Sequence, residues 1–106
     1  MQFDASFAAL SDATRRGELE QLTRSDASIS DLAETFGMTL TGIKKHVRIL
    51  EEAGLVATEK VGRVRMCRLG PSRLDQERQW IEAYRQMLEA RYDRLEAFLE
   101  RTKGEL

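Results

Sequence analysis

The side chains of this sequence with most to offer chemically are cations, and they are gathered rather than spread. Thr41, Gly42, Lys44, Lys45, His46 and Arg48 stand in one short run, and Lys60, Arg63, Arg65 and Arg68 follow close behind. Residues 41–68 hold seven basic and three acidic groups, a balance of +4, whereas residues 1–40 hold three and seven and residues 69–106 seven and eight. The overall formal charge of −1 hides that concentration. Phosphate responds to the local field and not to the total. The middle of the chain is therefore a candidate for binding a polyanion; an ordinary solvated basic surface is the alternative that charge alone leaves open.

Other chemistry has little to work with. The chain has one histidine, His46, and one cysteine, Cys67. Tight sites for zinc and similar metals need several thiolates or imidazoles, so no metal site is expected, and Glu89, Asp93 and Glu96 read as a charged helix face. There is no Gly-rich phosphate loop and no nucleophile beside a base, so no catalytic residue, no cofactor and no enzyme activity are expected. Cys67 cannot form an intrachain disulfide, which fits a reducing cytoplasm. It reads as a small half-buried hydrophobe, and a redox role would need an intermolecular partner.

With 42% apolar and 33% charged residues, the composition is that of a soluble globular protein. No apolar run approaches the roughly 20 residues of a membrane span. The opening Met1-Gln2-Phe3-Asp4 lacks a basic segment before an apolar core, so no secretion signal is expected. The length fits one domain over 1–106, mainly α with a two-stranded β wing, in the order α-α-α-α-β-β-α.

The elements that must position the cations follow from periodicity and punctuation. Phe3, Phe7 and Leu10 suggest a short first helix, and Asp12 a cap for a second through about Thr23. Glu18 stands beside Leu19 and Leu22 where an aliphatic residue is expected. Burial there would be costly unless the carboxyl were paired or protonated, so it should face solvent or mark a distorted helix. Ser28-Ile29-Ser30-Asp31 offers two possible caps, one of them a Ser-x-x-Asp box, for a third helix carrying Leu32, Ala33 and Phe36, which Gly37 ends. Thr39 caps a fourth helix with Leu40, Ile43, Val47 and Leu50 on one side and Gly54 as its stop. Two helices over 30–53 joined by a short Gly-containing turn are a helix-turn-helix pattern. The strand-like runs 55–61 and 64–69, joined at Gly62-Arg63, predict a wing hairpin over 55–69. Pro71 suits entry to a long helix over 72–101, where Leu74, Ile81, Leu88 and Leu95 repeat every seven residues alongside Tyr84 and Phe98.

At 100° per residue, the fourth helix turns Thr41, Lys45 and Arg48 away from its apolar stripe, with Lys44 and His46 on the flanks. Hydroxyl and cationic groups are those that reach guanine edges and phosphates in a major groove. Gly42 allows close backbone approach at some loss of helix propensity. A winged helix that serves as a protein-interaction module without DNA binding is the competing reading.

The chain resembles the ArsR/SmtB family of bacterial winged-helix repressors. The resemblance is carried by the segment from Ala9 to Arg16, by Ile29-Ser30-Asp31-Leu32-Ala33, by Phe36-Gly37-Met38, by the run Lys45 to Val56, and by Gly62-Arg63-Val64. It implies a homodimer paired through the first and last helices, here through Phe3, Phe7, Ile81, Tyr84, Leu88, Leu95 and Phe98. It further implies repression at an operator in double-stranded DNA, often of the protein's own operon, released by a signal that this sequence does not name. The family's DNA contacts fall by position on Thr41, Lys44, Lys45 and His46, and in the wing on Lys60 and Arg63 with Arg65 beside them. Arg48 joins them by its outward angle, and Arg15 and Arg16 are either phosphate contacts or structural partners of carboxylates. Metal-sensing relatives use a Cys-x-Cys pair on the third helix or Asp, His and Glu sets on the last; this chain has no Cys in the one and no His in the other. Thr41, Gly42 and Lys44 depart from the family's usual Pro, Ala and small hydroxyl residue, and Glu18 from its usual aliphatic.

Overall fold

The computed structural model of the chain describes residues 3–104. Its elements are α1 (Asp4–Leu10), α2 (Ala13–Arg24), β1 (Ala27–Ser28), α3 (Ile29–Thr35), α4 (Leu40–Glu52), β2 (Val56–Val61), β3 (Val64–Leu69) and α5 (Asp75–Gly104). They fall into two compact units, Met1–Leu74 and Asp75–Leu106.

The starts of α2, α3 and α4 are set by side chains that satisfy otherwise unpaired backbone N–H groups, whereas α1 begins after Phe3 without such a cap. Asp12 accepts from the Arg15 N–H, Ser28 from that of Asp31, and Thr39 from that of Gly42. Gly37 and Gly54 stop α3 and α4 at φ of +61° and +74°, a conformation other residues adopt with strain. Leu32, Ile43, Leu50 and Cys67 are among the fully buried side chains of a core that also takes Leu22, Ile29, Val47, Leu55 and Val56.

The wing is not a simple hairpin. β3 lies between β1 and β2 in a three-stranded antiparallel sheet, with Cys67 opposite both Ala27 and Thr58. Two residues are too few to display strand alternation, and Ala27-Ser28 has no branched or aromatic side chain to mark it. The extra strand also buries Cys67 completely rather than by half.

Two further expectations shift. Leu40, the first residue of α4, is 49% exposed and not part of the core face. Leu74 precedes α5 at φ +60° and packs on the core of the first unit, so its match to the seven-residue repeat is coincidental and the helix begins at Asp75, not 72. The Ser72 hydroxyl accepts from the Leu74 N–H at 3.3 Å, holding the chain in that bend.

The second unit is α5, 30 residues long, which at about 1.5 Å per residue extends roughly 45 Å. Trp80, Ile81, Tyr84, Met87, Tyr92, Leu95, Phe98 and Leu99 are exposed along it. Among the described residues no helix is long and apolar enough to cross a membrane.

Candidate nucleic-acid interface

α4 buries Ile43, Val47 and Leu50, which leaves Thr41, Lys44, Lys45 and Arg48 exposed and His46 half-buried. The turn ahead of it is tight for a reason in the side chains. A Cβ on Gly42 would stand 3.1 Å from the Met38 methyl and 3.2 Å from the Thr39 hydroxyl. The glycine thus leaves room for the cap as well as baring backbone.

The hairpin turns at Gly62, φ +64°. A groove of about 340 Å³ runs between α3, α4 and the hairpin, lined by Ser28, Ser30, Leu40, Lys44, Lys60, Arg63, Val64 and Arg65 among others. Four cations predicted from separate stretches, Lys44, Lys60, Arg63 and Arg65, are therefore brought to one concave surface.

These cations are not equally free. Arg48 pairs with Glu52 at 3.2 Å and Arg68 with Glu59 at 3.2 Å. Arg65 donates to the Thr58 hydroxyl at 3.0 Å, which in turn donates to the Glu51 carboxylate at 2.6 Å, a relay that ties hairpin to helix. Lys44, Lys45, Lys60 and Arg63 have no ion-pair partner among the described residues. Unpaired cations keep their charge available to an incoming phosphate. Nothing in the residue pattern marks Thr58 and Glu51 as partners of Arg65, because the relay exists only once β2, β3 and α4 have packed.

Arg15, Arg16 and His46 sit elsewhere, where α1, α2 and α4 meet. Arg15 donates through Nε to the Ala9 carbonyl at 2.9 Å, through Nη2 to Ala8 at 3.1 Å and through Nη1 to His46 Nδ1 at 3.0 Å. Arg16 donates to the Leu10 carbonyl at 2.7 Å. Both guanidiniums reach carbonyls at the end of α1, Arg15 adding to the Ser11 N–H and hydroxyl that already bond Ala8. Neither pairs with a carboxylate at ion-pair distance among the described residues. Asp12 lies 3.8 Å from His46, and the Arg15 backbone N–H holds its carboxyl below the usual range.

Glu18 contradicts its expectation. It does not face solvent, and α2 runs through it without a break; the residue is wholly buried and neither carboxylate oxygen has a hydrogen-bond partner among the described residues. Desolvation pushes its pKa up to about 7. Burial likewise pushes the Cys67 thiol up to about 11, leaving it a poor nucleophile at neutral pH. Among the described residues no three His, Cys, Asp or Glu side chains are grouped to hold a metal ion.

A capped helix pair, a tight turn and a basic hairpin beside the second helix define a winged helix-turn-helix, the DNA-binding domain of transcriptional regulators. Comparison with known proteins agrees. Residues 10–59 match the family described as "Helix-turn-helix domain". The crystal structure of an ArsR family transcriptional regulator superposes with a TM-score of 0.75 at 36% identity, over 83% of this chain and 91% of that one. The HTH-type transcriptional regulator Rv2034 of Mycobacterium tuberculosis is 29% identical over 98 residues, 85% of this chain and 92% of its own length. The transcriptional repressor SdpR of Bacillus subtilis is 36% identical over 56 residues, 53% of this chain and 62% of SdpR. The chain belongs to the ArsR family of transcriptional regulators.

Proposed function

We propose that the protein is a homodimeric repressor that binds a pseudo-palindromic operator, with α4 in the major groove and the hairpin against the flanking backbone. The observation that carries this reading is the convergence of unpaired Lys44, Lys60 and Arg63 on one groove beside the exposed Thr41 and Lys45. Thr41 and Lys45 are the base-reading side chains. Lys44, Lys60 and Arg63 take phosphates, and Arg65 is held ready by Thr58. Arg15 and Arg16 orient α1 and α2, and His46 links that corner to the reading helix.

Dimerisation supplies the second half-site. The apolar side chains exposed along α5 are one surface that a second copy would cover; the half-buried pair of Phe3, just before α1, and Phe7 on it is another. Two-fold pairing sets the reading helices about one DNA turn, roughly 34 Å, apart. Repression fits the relative SdpR, which is named a transcriptional repressor.

The test is selection of genomic fragments on purified protein, followed by titration of the recovered duplex and of the region upstream of the protein's own gene at several salt concentrations. An imperfect palindrome bound by a dimer, with affinity falling steeply in salt, supports the proposal. Enrichment of no sequence above random fragments overturns it in favour of a protein-interaction module.

A further inference from the structure

The core of the first unit contains a carboxyl that nothing in the DNA-binding reading uses. Glu18 lies on α2, with no exposed surface and both oxygens unpartnered. α2 packs there against β3 and α4. The charged and titratable groups that act on Glu18 from its own helix are Arg15, one turn before it, and Asp12. From β3 the Cys67 thiol feels its charge, and that thiol in turn feels Glu51 of α4 and Arg65 of β3. From α4, His46 touches Arg15; from α1 come the carbonyls of Ala8 and Ala9.

A neutral carboxylic acid can occupy such a place at the cost of a missing hydrogen bond, but an unpaired buried carboxylate is far more expensive. The cation whose charge acts to compensate it is Arg15. That guanidinium already gives its donors to the end of α1 and to His46 Nδ1. Turning it toward an ionised Glu18 breaks the contact with the reading helix and takes its donor from the Ala9 carbonyl at the end of α1. The alternative is for Glu18 to reach water, which requires α2 to part from β3 and α4. Either route disturbs the seat of α4.

We propose that the Glu18 proton holds the joint between α2, α4 and β3 closed, so that the regulator loosens, and releases DNA, as pH rises through neutrality. The joint itself is independent of any ligand; the release of DNA rests on the function proposed above. The sign follows from linkage. Burial raises the carboxyl from its ordinary 4.5 to about 7 in the folded chain. Between those values the folded state holds a proton that the unfolded state has lost, so stability falls with rising pH across that window and levels off above it.

The experiment compares the native protein with Glu18→Gln and Glu18→Leu. Melting midpoints are followed from pH 5 to 8.5, the Glu18 carboxyl is titrated by carbon NMR, and binding is measured to a labelled duplex from the region upstream of the protein's own gene. The native midpoint is expected to fall by at least about 5 °C over that range, given roughly 4–8 °C per kcal/mol for a domain of this size. Both variants should lose that slope, and the native protein alone should lose about tenfold in affinity between pH 6 and 8.5. A carboxyl titrating near its ordinary value overturns the proposal, as does an undiminished slope in the variants. If Glu18→Leu fails to fold, Glu18→Gln and the native titration still decide. Should the midpoints titrate through Glu18 while no version binds the duplex or any selected genomic fragment, the joint stands and the DNA-binding reading fails.

Discussion

Nη1 of Arg15 lies 3.0 Å from Nδ1 of His46, joining α2 to α4 across 31 positions of sequence. A guanidinium has only donors, so Nδ1 must accept and the proton of neutral His46 must sit on Nε2. Nitrogen-detected NMR at neutral pH should show that tautomer. Arg15→Ala should abolish the preference and lower stability by about 1.5–3 kcal/mol, the range for hydrogen bonds from a charged group. A native His46 protonated on Nδ1 would show that the contact is absent in solution.

Two glycines should differ sharply when replaced by alanine. At Gly17 a Cβ would stand 2.8 Å from Cε1 of the Phe36 ring, while at Gly70 it would stand 2.4 Å from the Gly54 carbonyl oxygen. A ring can tilt, so Gly17→Ala should cost about 1–3 kcal/mol for overpacking, offset by about 1 kcal/mol of helix propensity. The Gly54 carbonyl cannot move as cheaply, because it accepts from the Ser72 N–H at 3.0 Å while Gly70 itself donates to Leu55 at 2.9 Å. Gly70→Ala should therefore lose more than about 3 kcal/mol in urea unfolding; equal losses at the two positions would contradict this distinction.

These glycines also mark how far the sequence could be read. The caps at Asp12 and Thr39 and the stops at Gly37 and Gly54 are local and stand where the residue types put them, and of the two caps open to α3 the structure uses Ser28. The two-residue β1 was hidden because its pairing partner lies some 40 residues away on β3. The exposed cations of α4 follow from helical spacing, but whether each is free does not. Arg48 and Lys45 are both exposed, yet only Arg48 has Glu52 four residues on to hold it. Glu18 was legible as an anomaly, while its burial depended on how α2 met β3 and α4.

Freedom from ion pairing ranks the cations by expected effect. Lys44→Ala, Lys60→Ala and Arg63→Ala should each lower the slope of log affinity against log salt by about 0.9, the amount for one lost phosphate contact on duplex DNA. Arg68→Ala should change the slope little, because Arg68 is engaged by Glu59 and takes no phosphate. Thr58→Val removes the acceptor that holds Arg65 and should weaken binding several-fold with little change in the salt slope, since the charge remains. Fluorescence anisotropy over a salt series checks all five. A common slope for the Lys44, Arg63 and Arg68 variants would show that pairing does not set their roles.

The apolar length of α5 yields the last prediction. Leu95 is 47% exposed and Phe98 57% exposed, on a helix that forms a compact unit separate from residues up to Leu74. In a homodimer joined along this helix, Leu95→Asp and Phe98→Asp would each set a carboxylate into apolar surface covered by the partner. Sedimentation at micromolar concentration should then show a dimer for the native protein and a monomer for either variant. The first unit has its own core, so its amide dispersion and secondary structure should be retained. Operator affinity should fall by more than about tenfold, because one half-site then binds without the second held beside it. A variant that stayed dimeric, or a monomer that kept full affinity, would place the contact between copies on some other surface.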